Sequence, residues 1–157
     1  MRILVVDDNP AHLAAAKEQL GKEHEPTLLD SYEPALELLS RSTDLSPPPF
    51  DALLCDLLMP AEPMTLGPEG MQYLGHEMPI GLVLAIRAAT AGVQLVAVIT
   101  DANHHNHPMS AAVDWLGVPL LTKDGVIWVQ HAKIQNGVKN WQHALDGVMM
   151  IAQHSPR

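Results

Sequence analysis

Five polar residues stand at positions where they could do chemistry together: Asp7, Asp8, Asp56, Thr100 and Lys123. The Asp7-Asp8 pair, Asp56, Thr100 and Lys123 follow four short, largely apolar runs: Ile3-Leu-Val-Val6, Ala52-Leu-Leu-Cys55, Leu95-Val-Ala-Val-Ile99 and Leu120-Leu-Thr122. Three carboxylates brought together repel one another and stay ionised only when a cation joins them. Ligation by oxygen alone, from one or two carboxylates and water, suits Mg²⁺. A lysine and a hydroxyl facing such a site can bind the oxygens of a phosphoryl group. Singly, these residues carry little: an aspartate after a strand commonly caps a turn, and a lone threonine or lysine means less. The reading rests on their combination, in this order, at the ends of apolar runs.

The elements that must position them alternate. A strand over 2–6 is followed by a helix over 11–20, with Leu13, Ala16 and Leu20 on one face. A weaker strand covers 26–29. Ser31 is placed to cap a helix that tolerates Pro34 in its first turn and turns Ala35, Leu36 and Leu39 inward. The Ser-Pro-Pro-Pro run at 46–49 is a loop. Strands follow at 52–55, 94–99 and 118–122, and helices at 82–91, 109–116 and 138–153. The last carries Trp141, Leu145, Val148 and Met149 at helical spacing. Continuous apolar strands alternating with helices predict a parallel sheet covered on both faces. Right-handed crossovers make that sheet doubly wound, with the ligand at the carboxyl ends of the strands. There the five polar residues would converge.

The bulk properties agree. A chain of 157 residues is the size of one domain. Its 47% hydrophobic content is too high for a disordered chain. A net charge of −9 and the absence of a basic stripe argue against nucleic acid as a partner. The single cysteine, Cys55, excludes an internal disulfide and lies in an apolar run, as a buried thiol would. No apolar run is long enough for a membrane span or signal peptide, so the expected location is the cytoplasm.

The stretches ILVVDDNP at 3–10, DALLCDLLMP at 51–60, VAVITDA at 96–102 and LLTK at 120–123 resemble the receiver domains of two-component response regulators. The resemblance implies an α/β, flavodoxin-like, doubly wound parallel sheet of five strands in the order 2-1-3-4-5. It would span 1–157 as a single receiver domain, with no output domain following. It implies Asp56 as phospho-acceptor, with Mg²⁺ held by Asp8, Asp7, Asp56 and the backbone carbonyl of Leu58. Thr100 would bond the phosphoryl group and couple it to a switch. Lys123 would pair with a phosphoryl oxygen, and Pro60 would shape the loop. The donor would be a histidine kinase or a histidine phosphotransfer protein. The chain would catalyse only its own phosphorylation and dephosphorylation and act through a further protein or a second copy of itself.

Several features depart from that pattern. Gly81 resembles a glycine that usually follows the acceptor by about eight residues, yet here it follows by 25. Residues 61–79 are therefore read as an insertion. Its Met64, Leu66, Met71, Tyr73 and Leu74 should pack on the domain, a copy of it or a partner, and could cover the site. Asp124 replaces the usual proline after the lysine, and Asp124-Gly125 is a hairpin signal. An extended segment is expected over 124–137, with 126–129 as an added antiparallel strand or a packed loop. Leu120 stands where an aromatic switch residue is common. His104, His105 and His107 offer a metal-binding alternative to a solvated loop. Two other functions stay open. One is a phosphatase of the haloacid dehalogenase-like kind, which needs a D-x-D nucleophile motif and a late acidic pair. Asp7-Asp8-Asn9, Asp124 and Asp146 supply these poorly. The other is a degenerate receiver that acts only by binding a protein.

Overall fold

The computed structural model describes residues 1–40, 47–103, 105, 107–116 and 118–155. Ser46, at the head of the expected proline loop, and His104 lie outside the described residues.

Among the described residues, strands β1 (Arg2–Val6), β2 (Glu25–Leu29), β3 (Ala52–Asp56), β4 (Met59–Pro60), β5 (Glu77–Met78), β6 (Leu95–Thr100), β7 (Leu120–Leu121), β8 (Val126–His131), β9 (Ile134–Gln135) and β10 (Val138–Lys139) are joined by six α-helices. These are α1 (Pro10–Leu20), α2 (Tyr32–Ser40), α3 (Pro63–Gly70), α4 (Ile80–Thr90), α5 (Pro108–Val113) and α6 (Trp141–His154). The main sheet has the order β2-β1-β3-β6-β8-β7. Its first five strands are mutually parallel, and β7 is antiparallel to β8. The flavodoxin-like order 2-1-3-4-5 is thus present, with one extra edge strand.

Side chains alternate across the sheet with the period of two that a strand imposes. Leu4, Val6, Leu53, Cys55, Val96 and Val98 face Tyr32, Leu39 and Leu84 from α2 and α4. Ile3, Val5, Leu54, Ala97 and Ile99 face Leu20, Trp141, Leu145 and Val148 from α1 and α6. Both faces are covered, which is why these strands read as unbroken apolar runs. Cys55 is a fully buried thiol, and burial pushes its pKa up.

One strand assignment is corrected. The fifth parallel strand is not 118–122 but β8, whose six residues pair with β6 from Leu95↔Val126 to Thr100↔His131. The run before it contributes only Leu120 and Leu121, both about half exposed. The reason lies in composition. Pro119 cannot donate to a ladder, whereas Val126-Ile-Trp-Val129 is β-branched and aromatic. The Asp124-Gly125 hairpin signal holds: Thr122 and Gly125 close the turn between β7 and β8. The strand after that turn is the one that enters the sheet.

Residues 61–79 fold into α3, a 3₁₀ turn at Met71–Tyr73, and β5, which returns to pair with β4 through Met59↔Met78 and Pro60↔Glu77. Glu62, at its start, accepts from Ser31 Oγ, Tyr32 N and Glu33 N at 2.8, 3.0 and 3.0 Å. It therefore caps α2 from outside the helix, beside the Ser31 expected in that role. Met64, Met71, Tyr73 and Leu74 are exposed, so they do not pack on the domain as one expectation had it. No helix among the described residues is long and apolar enough to cross a membrane.

Candidate phosphoacceptor site

The carboxyl ends of β1, β3 and β6 deliver Asp7, Asp56 and Thr100 to one edge. Asp8 follows Asp7 and is exposed, while Asp7 is fully buried and Asp56 is 6% exposed. One carboxylate oxygen from each of Asp7, Asp8 and Asp56 lies within 4.8 Å of the others. Asp8 and Asp56 open into a cleft of about 260 Å³ that is also lined by Leu58, Pro60, Glu77, Thr100 and Asp101, with Asp7 behind them in the interior. Three oxygen donors converging from two strand ends fit a hard divalent cation such as Mg²⁺.

Gly81 fixes how close α4 comes to this edge. A Cβ there would overlap the backbone carbonyl of Asp56, and Gly81 N–H donates to Leu57 O at 3.1 Å. The glycine that follows Asp56 by 25 positions in sequence therefore lies against its backbone in space. Local hydrogen bonds set the carboxylates: Asp56 Oδ1 accepts from Leu57 N at 2.7 Å, and Asp7 Oδ1 accepts from Asn9 N at 2.9 Å. Thr100 is buried, and its Oγ1 accepts from Ala102 N at 3.1 Å.

The lysine of the site is Lys139, not Lys123. Lys139 Nζ lies 2.7 Å from Asp7 Oδ2, 3.0 Å from Asp56 Oδ2 and 3.3 Å from Asp101 Oδ1. It is fully buried. Lys123 is exposed in the β7–β8 turn, beside Gln94 and Gly125. Gln94 immediately precedes β6 and Gly125 immediately precedes β8, so Lys123 is at the amino end of the strands. The shift of strand five explains this, because the chain that reaches the carboxyl edge beside Thr100 is β8. Sequence held a signal for Lys139. Asn136-Gly137 joins β9 to β10, with φ values of 54° and 80°, the left-handed pair that a tight hairpin demands. That hairpin turns the chain back and ends on Lys139, just before the α6 N-cap Asn140.

The electrostatics follow from burial. It pushes the Asp56 carboxyl up to about 7, against the opposing charge of Lys139 and with added repulsion from Asp7. Asp8 is also raised, first by burial and then by Asp7. Burial lowers Lys139, but attraction to Asp56 and Asp7 outweighs it and sets the ammonium at about 12. At Asp101 burial raises the pKa. The Lys139 charge and hydrogen bonds from His12 and Lys139 overcome it, and the net shift is downward.

Four residues of this site carry no role in the sequence reading: Lys139, Asp101, His12 and Glu77. Asp101 was within reach, since it follows Thr100 at a strand end. Glu77 was not, because only the β4–β5 register brings it to the cleft. The histidine alternative finds no support among the described residues. His107 caps α5 by accepting from Met109 N at 3.1 Å, and His105 belongs to no metal-ligating cluster. Asp124 is exposed in the β7–β8 turn, and Asp146 accepts from Gln142 on exposed α6 surface. The late acidic pair of a phosphatase is not assembled from them.

No protein-family model matches the chain, and no curated protein matches it significantly. Solved structures do match in fold. The beryllofluoride-activated receiver domain of DrrB is 15% identical at a TM-score of 0.53, over 98% of this chain and 97% of that one. A CheY-like response regulator receiver domain from Methanospirillum hungatei JF-1 is 17% identical at 0.52, over 97% and 93%. The chain therefore has the receiver-domain fold.

Proposed function

We propose that the chain is a phosphoacceptor signalling module, taking a phosphoryl group on Asp56 from a phosphohistidine of a kinase or phosphotransfer protein. The observation that carries this reading is the buried contact of Lys139 with both Asp7 and Asp56, beside the converging oxygens of Asp7, Asp8 and Asp56. An Asp56 carboxylate oxygen attacks phosphorus, the N–P bond of the donor breaks, and the leaving imidazole keeps the electron pair and takes a proton. Asp7, Asp8, Asp56 and the Leu58 carbonyl would hold Mg²⁺, which neutralises charge on the transferring oxygens. Lys139 donates to an equatorial oxygen, as does the Thr100 hydroxyl once it turns toward the acceptor. The 6% exposure of Asp56 leaves the acceptor reachable from the cleft while most of its surface is dry.

Beryllofluoride with Mg²⁺ tests the reading, because it mimics a phosphoryl group on an aspartate. Bound fluorine resonances are expected in the wild type and not in Asp56→Asn. Their absence from the wild type, or their persistence in Asp56→Asn, contradicts the assignment.

A further inference from the structure

Lys139 reaches the site by an indirect route. Strand β8 leaves the sheet at His131, and the last bond to its neighbour runs from Ala132 N to Thr100 O at 2.7 Å. Lys139 lies eight residues beyond His131, on a hairpin outside the main sheet. The sheet ladder does not fix its backbone, and α1 does so instead. His12 Nδ1 accepts from Lys139 N at 3.4 Å, and Gln19 Nε2 donates to Lys139 O at 3.2 Å. Trp141 Nε1, two residues on, donates to His12 O at 2.8 Å.

That grip also decides what His12 does with its other nitrogen. An Nδ1 that accepts leaves the proton on Nε2. Nε2 lies 3.3 Å from Asp101 Oδ2, and the His12 ring is buried. The other oxygen of Asp101 is the one 3.3 Å from Lys139 Nζ. An ammonium has three N–H donors, and Asp7, Asp56 and Asp101 give it three acceptors. Asp7 lies in the interior, while the Asp101 side chain is 42% exposed at the mouth of the cleft.

We propose that Asp101, oriented by His12, is a positioning residue for Lys139, holding its ammonium toward the mouth of the cleft, where the group on Asp56 must bind. The proposal rests on the phosphoacceptor reading. Asp101 acts through Lys139, so its removal should matter only while Lys139 is present. An effect of Asp101 through bulk charge, by repelling an anionic donor, would persist without the lysine.

The test compares wild type, Asp101→Asn, Lys139→Met and the double variant, with folding of each checked by circular dichroism. Two quantities are read: the rate of phosphorylation by acetyl phosphate with Mg²⁺, and the ¹H–¹⁵N signal of the Lys139 ammonium. Asp101→Asn is expected to slow the wild type on the order of tenfold, as loss of a group that orients a site residue does, and to slow Lys139→Met no further. The ammonium signal, protected by burial in the wild type, should broaden or vanish in Asp101→Asn, and His12→Gln should weaken it in the same direction. Equal slowing in both backgrounds, or an unchanged ammonium signal in Asp101→Asn, overturns the proposal. A wild type that takes no phosphoryl group sinks the phosphoacceptor reading instead. The ammonium signal then decides the positioning alone: loss in Asp101→Asn supports it and persistence overturns it.

Discussion

At the scale of single residues, the site is a problem of buried charge. Asp7 is wholly buried, and Lys139 is the cation that touches both it and Asp56. Removing one partner of a buried pair leaves an uncompensated charge and costs about 3–5 kcal/mol. Lys139→Met should therefore lower the metal-free stability to urea by an amount of that order, with part of the loss recovered in Mg²⁺. Lys123→Met should leave the urea midpoint unchanged; the reverse pattern would return the site lysine to Lys123. The raised pKa of Asp56 carries a sign of its own. Its folded value of about 7 exceeds the unfolded value near 3.8, so the folded state binds more protons between them. The contribution of Asp56 to stability is present at low pH and is lost as pH rises through that window. The raised Asp8 adds a slope of the same sign, whereas the lowered pKa values of Asp51 and Asp101 act only in acid, below about 4. The metal-free melting temperature should fall from pH 5 to pH 8, and Asp56→Asn should flatten the fall. An equal fall in Asp56→Asn would show that another group titrates.

At the scale of elements, two glycines set the approach of whole segments. Gly81 brings α4 onto the backbone of Asp56 and Leu57. Gly81→Ala meets backbone atoms rather than a flexible side chain, so a loss of about 1–3 kcal/mol is expected in denaturant melts. A neutral result would mean that α4 can shift. Gly137, at φ 80°, shapes the hairpin that delivers Lys139, and nothing crowds its missing Cβ. Gly137→Val should cost about 1–2 kcal/mol of backbone strain and slow phosphorylation together with it. These elements also show where sequence reading succeeds. Strands β1, β3 and β6 are buried on both faces, so their apolar runs and the polar residue closing each were plain in the sequence. So were α1, α2 and α6, through their spacing. Strand five is ambiguous in sequence because two short apolar runs flank Asp124-Gly125, and Leu120-Leu-Thr-Lys123 resembles the receiver-domain stretch that ends in a lysine. What separates them is long-range: only Val126–His131 has a six-residue ladder on β6. Lys139 escapes because the helix expected over 138–153 takes it in, whereas 138–139 form β10 and α6 starts at Trp141, although Asn136-Gly137 announces the turn that carries it. Glu62 as the cap of α2 depends on a contact across 29 to 31 positions that no local pattern encodes.

At the scale of the whole molecule, a parallel sheet gathers Asp7, Asp56 and Thr100 onto one edge, the β9–β10 hairpin brings Lys139 to them, and segments away from that edge are under less constraint. The segment 61–79 illustrates this freedom. Its two ends are tied down by Glu62 on α2 and by the β4–β5 pairing, while Met64, Met71, Tyr73 and Leu74 face outward. Replacing residues 63–75 with a short Gly-Ser linker, keeping Glu62 and Glu77, should therefore cost little stability, since added loop entropy grows slowly with length. Thermal melts and light scattering check this, and a collapse of the fold would place the segment in the core. The claim that Asp56 accepts a phosphoryl group meets its most direct test in intact mass after incubation with acetyl phosphate and Mg²⁺. The wild type should gain the mass of one phosphoryl group, and Asp56→Asn should gain none. A wild type of unchanged mass, or an Asp56→Asn chain labelled as fully as the wild type, would contradict it.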